Sequence, residues 1–136
     1  MRHIVASILL GTLAGCGVET LPTGLDVPKT GVYTGPVTDL KGIGGMGVIT
    51  LRLDSTGDLA SGTWLLDLSN GAYRREGVLS GQTTAGHVRL LMRPANAVDC
   101  TFQIDAVTAP GDRITGTWTT TSCSVPYGGS IEVTRQ

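Results

Sequence analysis

Few side chains in this sequence could do covalent or ionic chemistry, and the cysteines are the most informative of them. They stand at Cys16, Cys100 and Cys123. A structural or catalytic zinc ion needs three or four N, S or O ligands. Past residue 16 the only imidazole is His87, and no CxxC spacing occurs. Metal or redox use of Cys100 and Cys123 is therefore not expected, and a disulfide between them is, given a disulfide-permissive compartment. If Pro110 to Arg113 form a hairpin loop, Ala109 faces Ile114, and the same register sets Cys100 opposite Cys123. That register puts Phe102 and Ile104 on the face of Thr121 and Thr119 rather than that of Trp118, a conflict that a one-residue β-bulge would repair.

The other candidates for catalysis are sparse. His87 falls on the polar side of a strand beside Arg89, and no Gly-x-Ser-x-Gly elbow accompanies it. A nucleophile needs its base within hydrogen-bond reach, so His87 reads as a surface residue. Asp67, Asp99, Asp105 and Glu132 could meet in space as a glycosidase-like carboxylate pair, but Arg and Thr neighbours point to a solvated face. Gly42-Ile43-Gly44-Gly45-Met46-Gly47 lacks the Gly-Lys-Ser/Thr ending and following helix of a phosphate loop. It reads as a loop at a barrel mouth. Arg74-Arg75-Glu76, with Arg89 and Arg93, reads as a charged outer face, the alternative being a patch for an acidic partner. No catalytic set, cofactor or metal is expected.

Cys16 has a different setting. Arg2 and His3 precede an apolar stretch, Ile4 to Leu13, broken only by Ser7, Gly11 and Thr12. About ten residues are too few to span a bilayer, which needs roughly 20, but they suit the apolar region of a secretory signal. Leu13-Ala14-Gly15-Cys16 then resembles the bacterial lipobox. The resemblance implies cleavage before Cys16 and a diacylglyceryl thioether on it, with the new amino terminus often acylated as well. Each buried CH₂ is worth about 0.8 kcal/mol, so two or three acyl chains anchor stably where one would not. Gly17 stands where that family often carries an inner-membrane retention Asp, so the expected address is the outer membrane, facing the periplasm.

The segments that follow must position everything else. Residues 16 to 29 are the lipidated start and a linker. Its last thirteen residues reach at most about 45 Å. From residue 30, alternating runs recur between turn residues, an all-β signature. The expected strands are Gly31 to Thr38, Met46 to Asp54, Leu59 to Leu68, Ala72 to Ser80, Gly86 to Arg93, Val98 to Thr108, Arg113 to Cys123 and Ser130 to Arg135. Ser69-Asn70-Gly71 carries the Asn-Gly pair of a hairpin turn. The runs predict a single antiparallel eight-stranded up-and-down barrel over residues 30 to 136, closed because closure removes exposed edges. One face of each strand is aliphatic, which fits an inward core rather than the lipid face of a transmembrane barrel.

Asp58-Leu59-Ala60-Ser61-Gly62-Thr63-Trp64 is echoed by Asp112-Arg113-Ile114-Thr115-Gly116-Thr117-Trp118. This reads as one strand solution used twice, the alternative being a ligand box of Trp64, Trp118 and Leu90. The Thr-Gly-Thr-Trp pattern resembles the avidin-like barrels of the calycin group, over roughly Gly31 to Ser80. The resemblance implies the barrel. The biotin site does not carry over, because Asp39 and Lys41 occupy the corresponding stretch and the chain has two Trp in all.

Charge narrows the partners. The formal charge is -1, and loss of Arg2 with residues 1 to 15 makes it -2. Phosphate affinity comes from clustered Lys and Arg, so nucleic acid is not an expected partner. The expectation is a non-enzymatic lipoprotein of the cell envelope, held to a membrane through Cys16, whose barrel binds a protein partner or a small apolar ligand. A second class is an inhibitor of a periplasmic enzyme acting through Gly42 to Gly47 or Pro94 to Asp99. A carboxylate-based hydrolase ranks third.

Overall fold

A computed structural model describes residues 27–39, 46–68 and 73–136. Cys16 and the signal, residues 17–26 of the linker, most of the Gly42-to-Gly47 loop, Lys41, Ala72 and the Ser69-Asn70-Gly71 turn lie outside the described residues. The strands are β1 Gly31–Asp39, β2 Met46–Thr56, β3 Leu59–Leu68, β4 Tyr73–Thr84, β5 His87–Pro94, β6 Phe102–Ala109, β7 Arg113–Thr120 and β8 Gly128–Arg135. Each pairs antiparallel with the next, and β1 pairs with β8 from Tyr33↔Arg135 to Asp39↔Gly129. The sheet is therefore a closed up-and-down barrel, as the alternation predicts.

Alternation decides what the barrel holds. Ile49, Leu51 and Leu53 of β2, Trp64, Leu66 and Leu68 of β3, and Val88, Leu90 and Met92 of β5 all point inward and are buried. Eight strands leave an interior only just wide enough for side chains. Among the described residues twenty buried apolar side chains form one cluster there, so the interior is a packed core.

The two echoed segments share one environment. Trp64 lies opposite Gly77, and Trp118 lies opposite Gly129. Each indole therefore crosses a position with no side chain, and each donates its N–H to a backbone carbonyl: Trp64 to Val78 at 3.1 Å, Trp118 to Thr38 at 3.0 Å. Gly62 and Gly116, two residues earlier, are close-approach points. A Cβ on Gly62 would stand 1.8 Å from the Arg52 carbonyl oxygen, and one on Gly116 would stand 2.4 Å from that of Asp105.

Two expectations need correction. The β6–β7 register is Ala109↔Arg113, Ile104↔Trp118 and Phe102↔Thr120. The loop is Pro110–Asp112, one residue shorter than expected, because Gly111 and Asp112 both take positive φ, 81° and 52°. The shorter loop puts Phe102, Ile104 and Trp118 on one face without a bulge. Strand ends also differ. β4 continues past Ser80 to Thr84 and turns through Ala85-Gly86, with φ of 50° and 80°, which suits a tight two-residue hairpin. β6 begins at Phe102 rather than Val98, and β7 ends at Thr120 rather than Cys123.

The barrel's two ends are unlike. At the end where β1 starts, Pro28 is buried and Val27–Thr30 lie against the barrel. The Tyr33 hydroxyl donates to the Lys29 carbonyl at 2.9 Å. Lys29 Nζ pairs with Asp112 at 2.9 Å, and the Ser55 N–H donates to Thr30 Oγ1 at 3.0 Å. The last residue is tied in at the same end, its N–H donating to Val32 at 2.9 Å. Val27–Thr30 and Gln136 thus stitch this end of the barrel. The opposite end is the mouth.

Candidate functional site: the barrel mouth

The mouth is built from the first residues of β4, β6 and β8 and the last of β3 and β7. Inside it, Phe102 meets Trp64 and Trp118 edge-on, with ring centroids 5.6 and 5.8 Å apart. Such pairs add about 0.5–1.5 kcal/mol each beyond their area burial. Tyr73 and Tyr127 pack half-buried against the core. Between them is a pocket of about 50 Å³, lined by Leu66, Leu68, Phe102, Trp118, Tyr73 and Tyr127. Its walls are apolar and aromatic, so it suits an apolar group of a few heavy atoms.

Among the described residues two loops frame the mouth, and the disulfide joins them. Cys100 and Cys123 are paired, with Cα atoms 5.4 Å apart. Both lie past the end of the β6–β7 ladder. There the Thr121 N–H donates to the Thr101 carbonyl at 2.9 Å, and the Thr101 N–H donates to Ser122 Oγ at 2.8 Å. The pairing expected from sequence is present, but the ladder register expected to carry it is not. The offset is absorbed outside the strands.

The Pro94-to-Asp99 loop is ordered by its own contacts. The Asp99 N–H closes a turn on the Asn96 carbonyl at 3.1 Å, and the Ala95 N–H donates to Glu76 at 2.9 Å. Asp99 Oδ2 stands 2.8 Å from Arg75 Nε, and the Arg75 guanidinium lies 4.2 Å over the Tyr73 ring. Val98 at the tip is 86% exposed. The Arg74-Arg75-Glu76 cluster is therefore split. Arg74 and Glu76 are exposed on the outer wall, while Arg75 shares the inward phase of Tyr73 and Leu79 at the lip.

Of the three residues named as a ligand box, Trp64 and Leu90 are core residues at 2% and 0% exposure. Trp118 is buried as well, and it also lines the mouth pocket. The sequence reading missed Tyr73, Phe102 and Tyr127, whose only signal was an aromatic residue at a strand start or just before one. The four carboxylates do not share a site. Asp99 pairs with Arg75, Asp105 with Arg89 at 3.2 Å and Glu132 with Arg113 at 3.2 Å. Asp67 is on the wall of β3. His87 is exposed at the start of β5. Among the described residues no group of three or more His, Cys, Asp or Glu is placed to hold a metal ion.

Fold and site together define a closed antiparallel barrel with a packed interior, one end stitched by Lys29, Thr30 and Gln136 and the other framed by disulfide-linked loops. The avidin-like architecture expected from the Thr-Gly-Thr-Trp pattern is consistent with this. No protein-family model matches the chain, and no curated protein matches it.

Proposed function

We propose that this protein is a non-enzymatic lipoprotein of the cell envelope, anchored through acyl chains on Cys16, that engages a protein partner with its mouth. One observation carries the reading. The linker reaches the barrel at Val27–Thr30, at the end opposite the mouth. A membrane anchor on Cys16 therefore leaves the mouth, its aromatic lining and its disulfide-linked loops free to meet a partner. The packed interior favours a partner seated across the mouth over a ligand enclosed within it.

Crosslinking in cells tests this. A photoreactive amino acid is placed at Val98 or Tyr127 at the mouth, and at Thr84 at the stitched end. Adducts of one defined mass from both mouth positions and none from Thr84 are expected. Adducts from Thr84 alone, or equal diffuse adducts from all three, would overturn the reading.

Inhibition of a periplasmic enzyme is the second reading, favoured by the Pro94-to-Asp99 loop. An apolar tip held by a turn, an ion pair and a neighbouring disulfide loses little freedom on docking, which favours affinity. A hydrolase as the crosslinked partner, with its activity restored by a Val98→Asp variant, would select this reading.

A further inference from the structure

The disulfide at the mouth is set apart from the barrel it adjoins. The β6–β7 ladder ends at Phe102↔Thr120, and Cys100–Cys123 lies beyond it, between two loops. Neither cysteine belongs to the buried apolar cluster, and both are half-buried. Cys123 sits within Thr121–Pro126, where every other residue is exposed. A reductant can therefore reach the bond without the barrel opening.

Each loop also keeps a fastening of its own. The Thr120 N–H donates to the Tyr127 carbonyl at 2.9 Å, and the Tyr127 N–H donates to Thr120 Oγ1 at 2.8 Å. These two bonds pinch Thr121–Pro126 at its base. The 94–101 loop is held by the Glu76 and Asn96 carbonyls and by the Arg75–Asp99 pair. From one loop to the other, hydrogen bonds run between Thr101 and the exposed Thr121 and Ser122. Water competes for such bonds, so their net contribution is small. Cys100 is moreover part of the pocket wall, with Phe102, Trp118 and Tyr127. Breaking the disulfide thus leaves both loops attached and the ladder whole, and it frees one wall of the pocket from the other loop.

We propose that Cys100–Cys123 is a redox latch, opened by a dithiol reductant with the barrel still folded, and that the open form exposes the mouth pocket. A thiolate of the reductant attacks Cys123 Sγ, the sulfur on the exposed loop, and Cys100 leaves as a thiolate. The second thiol of the reductant then displaces Cys123 and closes a disulfide of its own. Two electrons pass from the dithiol to the cystine, and its two protons end on Cys100 and Cys123. The latch needs no partner at the mouth; its control of one rests on that reading.

The test treats the full chain with dithiothreitol in the absence of denaturant and follows acrylamide quenching of the tryptophan emission. Trp118 lines the pocket, whereas Trp64 is a core residue. Reduction, checked by alkylation of Cys100 and Cys123, is expected to raise the quenching constant while far-UV circular dichroism stays unchanged. Oxidised glutathione should reverse the rise. Trp118→Phe should abolish it, and Trp64→Phe should keep it. The double variant Cys100→Ser/Cys123→Ser should quench like the reduced protein and ignore the reductant. A bond that yields only where urea unfolds the barrel, a barrel that unfolds on reduction, or quenching that reduction leaves unchanged would each overturn the proposal. No partner is present in this assay, so its failure is distinct from failure of the crosslinking at the mouth.

Discussion

Cys100 and Cys123 are joined one residue out of step with the strand ladder that leads to them. Phe102 faces Thr120, so continued pairing would bring Cys100 to Ser122. Instead Ser122 turns its hydroxyl to the Thr101 N–H, and Cys123 takes the place beside Cys100. The bond therefore ties two loops rather than two strands.

That placement predicts a loss of stability with the β-ladder intact. A disulfide spanning 23 residues contributes about 3 kcal/mol in the chain-entropy model. The double variant Cys100→Ser/Cys123→Ser should lose about that much in urea denaturation. Amide exchange should speed up at 94–101 and 121–127 while β2 and β3 stay protected. Equal loss of protection in every strand would mean that the bond holds the barrel itself.

Phe102 is the ring through which the two indoles meet. Phe102→Ala should cost about 3–5 kcal/mol, the range for a buried large-to-small change. It should also red-shift the Trp emission as both indoles lose their neighbour. A loss under about 1 kcal/mol would show that the mouth end is loosely packed.

Gly62 and Gly57 separate two kinds of glycine. A Cβ at Gly62 would meet the Arg52 carbonyl, whereas one at Gly57, a turn residue with φ 59°, would meet nothing within 4 Å. Gly57→Ala should cost only about 1–2 kcal/mol of left-handed strain. Gly62→Ala should cost more, because β2 and β3 must part. Denaturation midpoints of the two variants decide the order, and a reversed order would contradict the close approach.

The stitched end sets the pH response. Hydrogen bonding from Lys29, with Arg135 close by, holds the Asp112 carboxyl below its ordinary 3.8. A lowered folded value contributes stability that is complete above the unfolded value and lost as pH falls through the folded one. Burial, then the charge of Asp112, raises Tyr33 above 10.0. Its contribution is complete below that value and lost as pH rises through the folded one. Asp112→Asn should flatten the acid limb of the stability curve below about pH 4. Tyr33→Phe should flatten the alkaline limb beyond about pH 10. Unchanged limbs in both variants would contradict the assignment.

The contrast between what was legible and what was not has a physical basis. Period-two alternation is strong in Ile49-Leu51-Leu53 and Val88-Leu90-Met92, so the strands and their inward faces could be read. Register depends on loop length, and Pro110-Gly111-Asp112 does not reveal that two of its residues take positive φ. Arg75 was misplaced because charge suggests an outer face, while strand phase turns it to the lip beside Tyr73. That Asp67 Oδ1 is buried without a hydrogen-bond donor needs three dimensions, because only the fold sets its neighbours.

The most direct measurement is the mass of the amino-terminal peptide of the protein purified from membranes. The proposal predicts a peptide beginning at Cys16 and heavier than its sequence by a diacylglyceryl group, with or without a further acyl chain. A peptide that retains residues 1 to 15, or an unmodified Cys16 thiol, would contradict it.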